Sequence, residues 1–143
     1  MSWNPLITIK TKDDKKILSC EFITQGLESF EIWNVLDNLV QQGLAAYLEG
    51  WKWDGYPSVI DIPQATGPVV SVLIPAIETV FKYDNAVYVS RISRNIAAAK
   101  GDLQDQEEWE KHLEYVQKKN IAALESLKAI QGEGLIIELW GHL

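Results

Sequence analysis

The stretch IETVFKYDNAVYVSRIS, residues 77–93, decides how this chain of 143 residues is read. Thr79, Phe81 and Tyr83 alternate with Val80 and Lys82, the two-residue period of a strand with one buried face. Asp84-Asn85 supplies a two-residue turn, because both residues tolerate positive φ. Val87 and Val89 then alternate with Tyr88 and Ser90, and β-branched and aromatic residues fill both arms. The segment predicts a β-hairpin.

Working outward, the sequence predicts further strands. PLITIK (5–10) and KILSCEFI (16–23) read as a second hairpin, with Asp13-Asp14 and flanking lysines as turn chemistry. YPSVIDIP (56–63) is extended and bounded by prolines, which predicts an edge strand or loop. LIIELW (135–140) reads as a last strand with a central place in the sheet. The run VVSVLI (69–74) fits either a strand or a helix.

Two segments carry helical periodicity. In 26–44, Phe30, Trp33, Leu36, Val40 and Leu44 recur at spacings of three and four, and Ile32, Val35 and Leu39 widen the stripe. AAYLEG (45–50) continues this helix or starts another. In 105–130, Trp109, Leu113, Val116, Ala123, Leu124 and Leu127 form a stripe. Asp102 and Asp105 suit its start, and Glu107 and Glu114 stand four residues before Lys111 and Lys118. RNIAAAKGD (94–102) reads as a short helix or turn. Hairpins separated by helices define an α+β class: a mainly antiparallel sheet of hairpins with two principal helices packed on one face, in one domain spanning 1–143.

Composition narrows the function. Thirteen basic residues against twenty acidic give a net charge of −7, which disfavours a nucleic-acid partner and suits a basic protein. Residues 21–63 carry −6 and 101–143 carry −5. The longest apolar runs are too short to cross a bilayer, so no membrane partner is expected. The N-terminus lacks the pattern of a signal peptide, and Cys20, the only cysteine, rules out an intrachain disulfide and a cysteine-based zinc site; a cytoplasmic protein is expected.

Catalytic signatures are missing. There is no GxSxG, GxxxxGK[ST], GxGxxG or HExxH, and DLQDQEE (102–108) lacks the glycine and ligand spacing of a calcium loop. His112 reads as a helix-surface histidine. Cys20 shares a strand face with Leu18 and Phe22, as a small buried hydrophobe does. No enzyme activity, cofactor or metal is expected.

The remaining candidate is EGWKWDGYPSVID (49–61). Trp51, Trp53 and Tyr56 are interleaved with polar residues and framed by Glu49, Asp54 and Asp61. In an extended segment Trp51 and Trp53 share one face, packing on the sheet or offering rings to a partner. GWKWDGY following a helix, together with the later FKYDNAVYVSRI, resembles a family of bacterial toxin-immunity proteins over the middle half of the chain. The resemblance implies a non-enzymatic protein that blocks a toxin, often a basic nuclease-like one, by tight binding, and it carries no catalytic residues. Two alternatives stand beside it: a small-ligand or carbohydrate-binding domain that uses the aromatic loop 51–56, and a small hydrolase using a carboxylate pair from Asp54, Asp61 and Glu49.

Overall fold

A computed structural model describes residues 4–49 and 58–141, with the backbone alone of Glu49. The strands are β1 (Leu6–Thr11), β2 (Lys16–Glu21), β3 (Ala46–Glu49), β4 (Ser58–Ile62) and β5 (Leu135–Trp140). The helices are α1 (Glu31–Gln41), preceded by a 3-10 turn at Glu28–Phe30, α2 (Gly67–Lys82), α3 (Asn85–Lys100) and α4 (Leu103–Lys128). The strands form one sheet in the order β2-β1-β5-β4-β3, and every neighbouring pair is antiparallel. The α+β class holds.

The two-residue period is plain in this sheet. Ile7, Ile9, Leu18, Cys20, Ile60, Ile62, Leu135, Ile137 and Leu139 are all buried, and the strand registers place them on one face. That face meets Ile32, Trp33, Leu36 and Leu39 of α1, Val69, Leu73, Ala76, Ile77 and Val80 of α2, and Ala123 and Leu127 of α4 in one core. Trp33 lies between Phe22 and Phe30, with ring centroids 5.7 Å away on each side.

The hairpin expected at 77–93 is instead the end of α2 and the first half of α3. The alternation at 79–83 is shorter than the helical spacing that runs through it: Val69, Leu73, Ala76, Ile77 and Val80 are the buried residues of α2. Pro75 hides this helix from a sequence reading, because a proline inside a helix forfeits a backbone hydrogen bond. Asp84-Asn85 does reverse the chain, but between two helices: Asp84 is the N-cap of α3 and accepts from the Ala86 N–H at 2.8 Å. Among the described residues four α-helices therefore stand where two principal ones, with a short helix or turn at 94–102, were expected.

Two smaller expectations also change. Within AAYLEG, residues 45–49 are not helical: α1 ends at Gln41, Gly43 follows with φ of +76°, and the chain then enters β3, while Gly50 lies outside the described residues. β4 is not an edge strand; it pairs with both β5 and β3. The first hairpin, the helix starting at Asp102 and the central β5 are as expected. Asp14 takes φ of +69° in the β1–β2 turn, and Asp102 accepts from the Asp105 N–H at 3.1 Å.

α3 stands apart from the main core. It packs along the first half of α4 through a small separate cluster of Val87, Leu113 and Val116. α4, about 39 Å long at 1.5 Å per residue, thus spans two environments. Leu73→Ala should lose about 2–5 kcal/mol of stability, whereas Tyr88→Ala, on the half-exposed side of α3, should stay within about 0.5 kcal/mol. Urea denaturation measures both, and equal midpoints for Leu73→Ala and the parent would contradict the buried α2.

Candidate functional site

Of the residues singled out in 49–61, Trp51, Trp53, Asp54 and Tyr56 lie outside the described residues, as does the Glu49 side chain. The backbone of Glu49 ends β3, opposite Val59 of β4. Asp61 is on the sheet face turned away from the helices, where it forms an ion pair with Lys12. On the same face Lys10 pairs with Glu138 at 3.0 Å and Asp14 at 3.1 Å. Hydrogen bonding to Glu138 first, and to Asp14 second, holds the Lys10 ammonium above its ordinary range. Asp61 therefore belongs to a group of ion pairs on that face, and the carboxylates expected to pair with it, Asp54 and the Glu49 side chain, lie outside the described residues.

A well-defined concavity lies elsewhere. A cleft of about 450 Å³ opens between the end of β2, the start of α3 and the middle of α4. Its floor is built around Asp84, which is only 6% exposed. One carboxylate oxygen accepts the Ala86 N–H at 2.8 Å, and the other accepts from the Asn120 side chain at 2.7 Å. The backbone holds this corner in place: Phe22 and Asp84 form an isolated antiparallel bridge, and the Ile23 N–H donates to the Tyr83 carbonyl at 2.8 Å. Asn85 donates to Glu21 at 2.8 Å across the same seam. α3, β2 and α4 thus converge on one buried carboxylate, and the positive end of α3 favours its charge.

α4 provides an aromatic wall. Trp109, His112 and Tyr115 follow one another along it, with Trp109 edge-on to His112 at 5.9 Å and His112 stacked on Tyr115 at 6.4 Å. His112 is exposed, as expected of a helix-surface histidine, yet it also lines the cleft. The sequence signal for this wall is the set Trp109, His112, Tyr115 and Val116 at spacings of three and four. Trp109 belongs to the apolar stripe of α4 in sequence, but it is only half-buried.

Cys20 also lines the cleft but is largely buried. Burial, and then the negative charge of Asp84, push its thiol well above the ordinary range. Such a thiol is a poor nucleophile and a good packing group. Among the described residues no group of three or more His, Cys, Asp or Glu side chains is arranged to hold a metal ion, and no helix is long and apolar enough to cross a membrane.

Comparison with family models, with characterised proteins and with solved structures returns no match. Function is therefore argued from the surface and the cleft.

Asp84→Ala removes a helix cap and orphans the Asn120 amide, so it should cost about 2–3 kcal/mol. Asp84→Asn keeps a capping oxygen and should cost about 1 kcal/mol or less. Thermal or urea unfolding of the two variants gives the comparison, and an Asp84→Ala protein as stable as the parent would remove Asp84 from its central place. Cys20 should react with a thiol reagent only after denaturant is added; rapid labelling of the folded protein would show that the thiol is accessible.

Proposed function

We propose that the chain is a non-enzymatic protein-binding module that neutralises a bacterial toxin by tight binding, in line with the resemblance in its middle half. A basic protein partner and a cytoplasmic site of action belong to the same reading. The observation that supports it is the surface of the α3–α4 hairpin. Tyr88, Ile92 and Ile96 recur every four residues along α3 and are 51%, 39% and 50% exposed, and Leu103 at the start of α4 is 76% exposed. Beside them, residues 102–114 carry six acids (Asp102, Asp105, Glu107, Glu108, Glu110, Glu114) against Lys111 alone, a net charge of −5. An apolar row beside an acidic helix start suits a basic protein: the acids speed encounter and the apolar side chains slow release.

The stretch 49–61 remains a second proposed contact on the strength of its sequence, with Trp53 as anchor and Asp54 as a steering charge. The two surfaces are separable by mutation. Ile92→Asp or Tyr88→Ala should speed dissociation if α3 faces the partner. Trp53→Ala together with Asp54→Lys should speed dissociation and slow association at low salt if 49–61 does.

The first experiment is co-expression with the protein encoded beside the gene for this chain. The neighbour should be toxic by itself, and the chain should relieve the toxicity and co-elute with it. A harmless neighbour, or toxicity that the chain does not relieve, would remove the immunity reading. Surface plasmon resonance on the variants, with circular dichroism to check folding, then locates the interface.

A further inference from the structure

The cleft above Asp84 has a chemistry that the α3–α4 surface as a whole does not. Its lining holds two carboxylates, Glu21 and Asp84, against one ammonium, Lys119. Asp84 is buried and lines the cleft; it accepts from the Ala86 N–H and the Asn120 amide and also hydrogen-bonds the Cys20 thiol, and a carboxylate with roughly four acceptor sites still has one to offer. Glu21 is exposed at the rim, with one oxygen taken by Asn85. Opposite these acids stand the rings of Trp109, His112 and Tyr115, and Tyr115 is 64% exposed.

Acids on one side and ring faces on the other suit an organic cation. A planar one is favoured, because it can lie flat on a ring while its edge donates two parallel hydrogen bonds to a carboxylate. Guanidinium has this shape, whereas a lysine ammonium is a compact, strongly hydrated point charge. The cleft, at about 450 Å³, is large enough to admit an arginine side chain.

We propose that this cleft is a guanidinium pocket: an arginine of the protein partner enters it, stacks on the Tyr115 and Trp109 rings, and pairs with Glu21 and Asp84. The inference rests on the protein-binding reading above and adds to it the residue that the partner must present. It also places the pocket next to the acidic start of α4, so the charges that attract a basic partner lead to the site that holds it.

The test needs no partner. The folded, isotope-labelled chain is titrated by NMR with N-acetyl-arginine amide, N-acetyl-lysine amide and N-acetyl-citrulline amide, the last a neutral look-alike of arginine. At millimolar concentrations the arginine probe should shift the Trp109 indole N–H and the Asn120 side-chain amide and reach saturation. The lysine probe should bind several-fold more weakly, and citrulline should leave both signals in place. Asp84→Asn, which retains a cap, should weaken arginine binding about tenfold. If that variant does not fold, Glu21→Gln and Tyr115→Ala, both at exposed positions, carry the test with an expected several-fold loss each.

The proposal is overturned if arginine produces no saturable shift, if citrulline or lysine matches it, or if the folded variants bind arginine like the parent. Arginine binding without any toxin partner would leave the pocket standing and remove only the immunity reading. Partner binding that is indifferent to Glu21→Gln and Tyr115→Ala, with no arginine response, would do the reverse.

Discussion

One buried carboxylate organises the corner where α3, α4 and the end of β2 meet. Asp84 is reached from three directions: by the first turn of α3 through the Ala86 N–H, by α4 through Asn120, and by the end of β2 through the bridge to Phe22. The main core does not extend to α3, whose apolar contact with α4 is a cluster of three buried side chains. So small an apolar cluster leaves the angle between helices and sheet to polar contacts, which are directional where apolar burial is not. The Asp84 corner supplies directional contacts of that kind. Each partner is satisfied by the others, so removing any one leaves a buried polar group exposed to the full cost of its lost hydrogen bond.

The core proper is built on a more general rule. Every buried sheet residue lies on the same face, and α1, α2 and α4 cover it. Polar links then fix how the helices sit. Tyr47 of β3 donates to Asp37 of α1 at 3.2 Å, and burial, with Asp37 next, pushes the phenol up to about 12. Glu28 accepts from Lys82 at 3.0 Å and from Tyr83 at 2.6 Å, tying the turn before α1 to the end of α2. The tyrosine hydrogen bond first, and the lysine second, hold the Glu28 carboxyl below the usual carboxylate range.

Much of this was legible in the sequence, and the exceptions have physical causes. The β1–β2 hairpin could be read because its turn residues and its alternation agree. α1 and α4 could be read because their stripes run for several turns without interruption. α2 could not, since Pro75 falls in its middle and Thr79, Phe81 and Tyr83 mimic a strand over five residues. Longer-range spacing, from Val69 to Val80, outweighs that local pattern once the core is formed. β3 was hidden by Ala45 before it and Ala46 at its start, which favour helix in isolation but here follow a left-handed glycine. For the site, the acidic and aromatic surplus could be seen in the composition, but the cleft could not: Glu21, Asp84 and Tyr115 are far apart in the chain and meet only through tertiary packing. Asp61 could be singled out from its surroundings in sequence, but its ion pair with Lys12 could not, since the two are 49 residues apart in the chain.

The position of β5 has a consequence for how the molecule is assembled. It pairs with β1 on one side and β4 on the other, and among the described residues it is the one strand that connects the two halves of the sheet. During synthesis β1–β2 and β3–β4 leave the ribosome well before it, each able to pair locally. Until β5 arrives, both halves expose an unpaired inner edge and an apolar face, the combination that invites wrong pairing between chains. Joining Leu6 to Trp140 closes nearly the whole chain in one step, at the entropic cost of a very long loop. The order of the strands thus makes insertion of β5 a slow and late event, and the period before it is when the nascent protein most needs protection from its own copies.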